Sequence, residues 1–455
     1  MAADRAEVEF LPLTSGHAPG DTFAWTAAGA VSLAQWMADV HALSERLPPA
    51  SYALNLCRST YAFSVALAAA LVRRQTSLLP ASRAPEVLTR LSQRYADTVA
   101  IVDDPEPDLP FSVVVAACAG ATAEPLDAIV AIPATHVAAL VFTSGTTGEP
   151  EPHAKTWGSL VASARAERDA LALRSLAGAT ILGTVPPQHM YGLESALLLA
   201  WQGGYSFHGQ RPFYPADIAA ALAATSAPRI LVTTPLHLRA LVDVDLDLPS
   251  MALIVSATAP LAIELARAAE ARYGAPVREI YGCTETGQIA SRRTLEGTAW
   301  KLMHGVRIST QGDTFLAYGG HVDRRVALSD DLHLIDERHF ELLGRKADVV
   351  NIAGKRSSLA FLNQQLLNVP GVEDAVFLMP EEQAPNTTRL VAFVVAPTLD
   401  PASLLESLRS RVDPVFLPRP LYRVELLPRN ATGKLPREAL LALAARLDRK
   451  AQIRE

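Results

Sequence analysis

The stretch MALIVSATAPLAIELARAAEARYGAPVREIYG, residues 251–282, holds a strand pattern, a helix pattern and a second strand pattern in direct succession. MALIVSA and VREIYG are short apolar runs of the kind that form buried strands. Between them, Leu261, Leu265 and Ala269 recur at the spacing of one helix face. Gly274 stands where a C-terminal helix cap belongs. The stretch therefore predicts one β-α-β unit of a parallel sheet.

The same alternation extends in both directions along the chain. Apolar runs alternate with helical patterns from about residue 130 onward, through VAALVF, ATILGTV and RILVTTP. After Trp300 the runs shorten and alternate with turn residues, as antiparallel hairpins do, and after Ser358 they predict a small α+β unit. We therefore predict an α/β fold. A large N-terminal domain of β-α-β subdomains, with parallel sheets and a small β-rich part, spans 1–343; a hinge spans 344–348; and a small mobile α+β domain spans 349–455.

Composition excludes several classes of function. The 455 residues are 49% hydrophobic and 19% charged, which is typical of a globular protein. A formal net charge of −6 without a long basic run argues against a nucleic-acid partner or an anionic membrane surface. The three cysteines lack metal-ligand spacing, which favours a reducing compartment over a disulfide framework. The longest apolar run, 62–72, is far shorter than the ~20 residues that span a bilayer, so we expect a buried helix there and a cytoplasmic protein.

A loop rich in glycine and hydroxyl side chains follows the strand pattern VAALVF, within VFTSGTTGEPEPHAKTW (141–157). Converging backbone N–H groups and hydroxyls suit phosphate oxygens. The same composition is also that of an ordinary turn, so the loop alone does not decide between the two. A Walker A loop is excluded because Lys155 follows Ala154 rather than a glycine.

Three further stretches accompany this loop. In chain order the four are TSGTTGEP (143–150), YGCTE (281–285), LSDD with GRKAD (328–331 and 344–348), and PRNATGKLPR (428–437). In order and approximate spacing they resemble the motifs of the adenylate-forming superfamily, which includes acyl- and aryl-CoA synthetases, peptide-synthetase adenylation domains and luciferases. The resemblance covers about residues 130 to 440. The segment 57–83 further resembles the compact AMP-ligases of xanthomonadin and aryl-polyene pigment clusters.

The resemblance implies that this chain binds ATP and Mg²⁺. The loop residues that would enclose the β- and γ-phosphates are Thr143, Ser144, Gly145, Thr146, Thr147 and Gly148. Thr284 would contact the α-phosphate, and Glu285 would hold Mg²⁺ together with Thr146. The residues that would lie on the adenine side are Ser256, Ala257, Thr258, Tyr281 and Gly282. Asp330 would accept hydrogen bonds from the ribose hydroxyls, with Arg345 near the ribose and phosphate.

Two residues would act near the acyl group. Lys434, in the Thr-Gly-Lys of the last motif, would bridge the substrate carboxylate and the α-phosphate. His189, in PPQHMYGLE, would line the acyl pocket and gate the thiol tunnel, although a packed core histidine is an equal alternative. The family's loop lysine directly follows the proline, whereas Lys155 follows Pro150 by five positions. Lys155 would therefore bind phosphate only if the intervening residues fold back as an insertion.

The implied function is ATP-dependent activation of a carboxylic acid to an acyl-adenylate with release of pyrophosphate. The acyl group would then pass to coenzyme A or to the phosphopantetheine thiol of an acyl carrier protein. The finer resemblance favours an aryl acid such as a hydroxybenzoate, used in pigment biosynthesis. A fatty-acyl or other acyl-CoA synthetase is one alternative, and a non-catalytic nucleotide-binding protein with the same fold is another.

Overall fold

The computed structural model describes residues 8–80, 82–106, 108–116, 130–144, 150–345, 349–352, 355–379, 389–430 and 435–452. The strands are β1 Phe10–Pro12, β2 Thr22–Thr26, β3 Gly29–Ser32, β4 Tyr52–Asn55, β5 Thr76–Leu79, β6 Thr98–Val102, β7 Ser112–Val115, β8 Ala131–Pro133, β9 Val137–Ser144, β10 Pro150–Thr156, β11 Thr180–Gly183, β12 Ser206–His208, β13 Arg229–Thr233, β14 Leu253–Ser256, β15 Val277–Cys283, β16 Gly287–Arg293, β17 Trp300–Leu302, β18 Arg307–Gln311, β19 Thr314–Gly319, β20 Val322–Ala327, β21 Asp330–Leu334, β22 His339–Arg345, β23 Val349–Ile352, β24 Lys355–Ser358, β25 Asp374–Leu378, β26 Val391–Val395 and β27 Leu421–Arg423. The helices are α1 Leu33–Arg46, α2 Thr60–Val72, α3 Pro85–Arg94, α4 Trp157–Ala170, α5 Leu199–Gly203, α6 Pro215–Ala223, α7 Pro235–Asp243, α8 Ile263–Tyr273, α9 Leu359–Leu367, α10 Pro401–Arg409 and α11 Arg437–Gln452, with a π-helix over Gly192–Leu198.

Two large sheets confirm the predicted α/β class. In the described residues the first has the strand order β10-β9-β5-β4-β6-β7, with parallel pairing from β9 to β7. The second has the order β21-β22-β17-β16-β15-β14-β13-β11-β12-β2-β3 and is parallel from β15 to β2. The opening stretch forms β14, α8 and β15 as predicted, and Gly274 ends α8 in the left-handed conformation.

One hydrophobic core joins the two sheets. It takes Val141 from the first sheet and Val255 from the second, and it includes most of α2, the segment predicted to be a buried helix. Ser59 caps α2 by accepting a hydrogen bond from the backbone N–H of Ala62. Among the described residues, no helix combines the length and apolar character that crossing a bilayer requires. The sheets therefore hold their strand ends in fixed relative positions within one packed interior.

Strand β10 differs from the expected loop insertion after Pro150. Residues 150–156 pair antiparallel with β9, with Lys155 opposite Ala139. Pro152 is accommodated because β10 lies at the edge of its sheet, where no further strand needs its missing N–H. Side chains alternate along a strand, and His153 and Lys155 are accordingly both buried while Ala154 between them is exposed.

The region after residue 349 has separate hydrophobic clusters. Strands β25, β26 and β27 form a three-stranded sheet in the described part of this region. Helices α9 and α10 contribute to a cluster on this sheet, and α11 contributes to a second one. Residues 346–348 of the predicted hinge lie outside the described residues, so the division at 344–348 stays a prediction.

Candidate active site

Several predicted site residues lie at or directly after the carboxyl ends of strands, where ligands of open α/β sheets bind. Strand β9 ends at Ser144, β14 at Ser256 and β15 at Cys283. Thr284 and Glu285 occupy the turn between β15 and β16. Gly145, Thr146, Thr147, Gly148 and Lys434 lie outside the described residues.

His153 connects the start of the loop with the YGCTE motif. Its Nε2 atom lies 3.1 Å from the Oγ1 atom of Thr143 and 3.8 Å from the Oε1 atom of Glu285. The imidazole is 5% exposed, whereas the Glu285 side chain is 40% exposed. A single buried ring thus brings together two motifs that the sequence separates by more than a hundred residues. Sequence reasoning did not select His153, although recognising β10 as a strand would have placed it on the same face as Lys155.

The Glu285 carboxylate is suited to hold a hard cation. Burial would raise its pKa, but a hydrogen bond from the Cys283 thiol, backbone hydrogen bonding, and the nearby His153 and Lys155 outweigh burial, so that the pKa is lowered. Among the described residues, no three His, Cys, Asp or Glu side chains lie together as a metal site. Mg²⁺ typically takes one or two carboxylates and completes its coordination with phosphate oxygens and water. A single ionised Glu285 fits this requirement.

Lys155 contacts the backbone of the same turn. Its Nζ atom donates a hydrogen bond to the carbonyl oxygen of Glu285 at 2.9 Å, and the side chain is 6% exposed. Burial lowers the pKa of Lys155, and this effect is opposed first by Glu194 and then by Cys283, Glu285 and Asp323. The described hydrogen bond of the Lys155 ammonium group is therefore with a backbone oxygen of the turn.

Tyr281 and Asp330, predicted on the adenine and ribose sides, are in direct contact. The Tyr281 hydroxyl donates a hydrogen bond to Oδ2 of Asp330 at 2.7 Å. The Tyr281 ring packs against Trp300 and Phe340, with centroids 5.7 Å and 5.6 Å away. Strand pairing sets Asp330 opposite Arg345 across β21 and β22. The hairpin of β21 and β22 thus places Asp330, in the third motif, beside Tyr281, in the second motif.

The segment Ser256–Thr258, at the end of β14, has two unusual features. Ser256 is fully buried, and its hydroxyl has no hydrogen-bond partner among the described residues. Thr258 adopts φ +80°, a left-handed conformation that is rare for a β-branched residue. Such strained positions concentrate at functional sites.

His189 lies in the turn that leads into the π-helix, and its carbonyl oxygen accepts a hydrogen bond from the backbone N–H of Leu193. The nearby Tyr191 hydroxyl donates to the carbonyl oxygens of Thr233 at 3.1 Å and Val255 at 3.0 Å. Sequence reasoning gave Tyr191 no such role. This contact fixes the His189 segment against the carboxyl ends of β13 and β14.

Comparison with known proteins identifies the family. Residues 34–341 match the model of the AMP-binding enzyme family. The chain is 29% identical over 306 residues to a 4-coumarate–CoA ligase of Cereibacter sphaeroides, covering 64% of this chain and 69% of that protein. It is also 29% identical over 345 residues to a protein of Mycobacterium tuberculosis named a probable 2-succinylbenzoate–CoA ligase, covering 67% of this chain and 84% of that protein.

Solved structures agree in fold. The anthranilate CoA ligase AuaEII in complex with anthranoyl-AMP superposes with a TM-score of 0.80 at 17% identity, covering 96% of this chain and 99% of that one. ATP-bound MatB from Rhodopseudomonas palustris superposes with a TM-score of 0.78 at 21% identity, covering 93% of this chain and 95% of that one. The chain therefore belongs to the AMP-binding enzyme family and is an AMP-forming ligase of the adenylate-forming superfamily.

Proposed function

We propose that this enzyme joins a carboxylic acid to ATP, forming an acyl-adenylate and pyrophosphate, and then transfers the acyl group to a thiol. The observation that carries the proposal is that His153, in β10, contacts both Thr143, in β9, and Glu285, in the turn after β15. It unites the start of a phosphate-binding loop with an ionised carboxylate. The contact of Tyr281 with Asp330 supports a nucleoside site beside it.

In this proposal the protein stabilises charge and forms no covalent intermediate of its own. Thr284 and the loop that begins at Thr143 bind phosphate oxygens, and Asp330 binds the ribose. Glu285 would hold Mg²⁺, which when bound neutralises charge on the phosphates. Lys434, carried by residues 349–455 as a second domain, would bridge the substrate carboxylate and the α-phosphate.

The finer assignment is an aryl acid as substrate, with coenzyme A or the phosphopantetheine of an acyl carrier protein as acceptor. The names of the relatives support the aryl acid, because 4-coumarate, 2-succinylbenzoate and anthranilate all carry an aromatic ring. Those names also support coenzyme A as the acceptor, because all three proteins are named CoA ligases. His189 would line the acyl pocket.

A substrate panel tests the proposal directly. Pyrophosphate release is measured with hydroxybenzoates, cinnamates and fatty acids, each with Mg·ATP, and active acids are then offered coenzyme A or a phosphopantetheinylated carrier protein. We expect release with at least one aryl acid. Activity confined to fatty acids would overturn the aryl assignment, and release with no carboxylate would favour a non-catalytic nucleotide-binding protein.

Lys434 gives a second test. We expect Lys434→Ala to lower adenylate formation by at least about a hundredfold, because a positive charge at the developing oxyanion is lost. The measurement is ATP–pyrophosphate exchange, with urea unfolding to verify the fold. The exposed Lys301, changed to Ala, is the matched control. Near-normal exchange in Lys434→Ala would contradict the assigned role.

A further inference from the structure

A buried cluster of polar side chains lies beneath the turn that carries Thr284 and Glu285. Its members come from β10, α4, the π-helix, β16 and the residue before β20. They are Lys155, Ser163, Glu167, Glu194, Gln288 and His321, and each is less than a tenth exposed. We call this set the turn-anchoring cluster. None of its members has a part in the chemistry proposed above.

The cluster is hydrogen-bonded to the turn and to the strand that follows it. On one side, Lys155 Nζ donates to the carbonyl oxygen of Glu285 at 2.9 Å. On the other, the backbone N–H of Gln288 donates to Oε2 of Glu194 at 3.2 Å. The carbonyl oxygen of Gln288 lies 2.6 Å from Nε2 of His321. Main-chain atoms of the turn and of β16, which follows it, are thereby bonded to buried side chains from other elements.

The supporting side chains are themselves held in place. Ser163 Oγ donates to Oε1 of Glu194 at 2.6 Å, and Gln288 Nε2 donates to Oε2 of Glu167 at 2.7 Å. Gly287 has φ +72°, and a Cβ atom there would lie 2.6 Å from Oε1 of Glu194. The turn therefore rests directly on the Glu194 carboxyl group, without space for a side chain between them.

Burial shifts the pKa values of the ionisable groups in the cluster. Burial raises the pKa of Glu194 to about 7, and Lys155 opposes this rise. Burial also raises the pKa of Glu167, to about 8. Burying a lone ammonium group is costly, and a nearby carboxyl group reduces that cost. Lys155 and Glu194 thus lie close enough for each to affect the pKa of the other, in the interior below Glu285.

We propose that Lys155 is a positioning residue that, together with Glu194, fixes the turn so that the Glu285 carboxylate and the Thr284 hydroxyl face Mg·ATP. Lys155 does this through the Glu285 carbonyl and does not bind a phosphate itself. The proposal rests on the proposed function, because it takes Glu285 as the residue that holds Mg²⁺. Residues that orient a metal ligand are typically worth about 10- to 100-fold in metal affinity.

The metal dependence of ATP binding separates positioning from direct phosphate contact. Calorimetric titration measures the affinity for ATP with Mg²⁺ and, separately, with EDTA, in wild type, Lys155→Met and Lys301→Met. We expect Lys155→Met to weaken Mg·ATP binding by at least about tenfold, while binding of metal-free ATP changes by less than about twofold. The exposed Lys301→Met should match wild type in both. An equal loss with and without Mg²⁺ would show that Lys155 binds phosphate and would overturn the proposal.

Two further measurements keep the result interpretable. Hydrogen exchange of a peptide covering 281–288, recorded without nucleotide, should be faster in Lys155→Met than in wild type. The double variant Lys155→Met with Glu194→Gln removes both ionisable groups, and we expect it to recover the stability that Lys155→Met loses but not the affinity for Mg·ATP. If Lys155→Met unfolds more easily than wild type but its ATP affinity depends on Mg²⁺ as in wild type, then Lys155 has a purely structural role. That result would overturn the proposal.

Different results would contradict the role of Lys155 and the proposed enzymatic activity. If wild type binds Mg·ATP but activates no acid, the proposed function is wrong, and the contrast between wild type and Lys155→Met still decides the inference. If wild type shows no gain in ATP affinity from Mg²⁺, the inference is overturned whatever acids the enzyme activates.

Discussion

At the scale of single residues, Thr258 is the most strained of the predicted nucleotide-binding positions described. Its φ of +80° suits glycine. A β-branched residue in this conformation costs on the order of 1–3 kcal/mol. It directly follows the buried Ser256 and Ala257 at the end of β14. The strain therefore lies at the strand end where adenine is proposed to bind.

We expect Thr258→Gly to raise the free energy of unfolding by about 1 kcal/mol, because glycine relieves the strain of the left-handed backbone. Glycine also makes the unfolded chain more flexible, which offsets part of this stabilisation. Urea denaturation measures the change. Ala172→Gly is the control, since Ala172 also has a positive φ, +56°, at an exposed position outside the site. A loss of stability in Thr258→Gly alone would mean that contacts of the threonine outweigh its strain.

At the scale of elements, the hairpin of β15 and β16 carries the central motif. Its register shifts between Tyr281 and Gly282, and a Cβ atom at Gly282 would lie 2.2 Å from the carbonyl oxygen of Gly287. Such an irregularity re-aims the residues that follow it. The two glycines let the two strands approach closely next to the turn formed by Thr284 and Glu285.

Gly287→Ala and Gly178→Ala form a matched pair. Both glycines have nearly the same φ, +72° and +71°, but only Gly287 has atoms within 4 Å of the added Cβ. We expect Gly178→Ala to cost about 1–2 kcal/mol for the left-handed backbone alone. Gly287→Ala should cost at least about 1 kcal/mol more, because it overlaps the Glu194 carboxyl group. Equal losses in urea denaturation would show that Glu194 moves aside freely.

At the scale of the whole molecule, the common core of the two sheets encloses acidic groups that the folded protein must desolvate. Glu167 is fully buried and hydrogen-bonded to Gln288. Burial raises its pKa from 4.5 to about 8. Since the folded state binds the proton more tightly than the unfolded state, the stability from this group is complete below about pH 4.5 and declines as the pH rises through about 8.

We therefore expect the free energy of unfolding of wild type to fall relative to Glu167→Gln between about pH 5 and about pH 8, by up to about 1.4 kcal/mol per pH unit. Glutamine keeps an acceptor for Gln288 but does not titrate. Urea denaturation of both proteins at several pH values measures the difference, in which the other titrating groups largely cancel. Parallel pH profiles would contradict a raised pKa at Glu167.

The sequence by itself determined the α/β class, the β-α-β units around 251–282, the buried helix at 62–72 and the family resemblance. These follow from local periodicity and from motifs that are contiguous in the chain. The paired strand β10 was missed because Pro150 and Pro152 mimic a loop, and only an edge position in a sheet accommodates them.

Only the tertiary structure decided which residues meet at the site. Lys155 and Glu285 are 130 positions apart, and their contact depends on how two different sheets pack against each other. His153 and Glu194 lie in stretches that the sequence analysis considered, but nothing local gave them a role, and they acquire their contacts from strand pairing and from the π-helix. Local sequence sets the direction of a side chain within its element, whereas the partner it meets is set by the packing of distant elements, which no short pattern encodes.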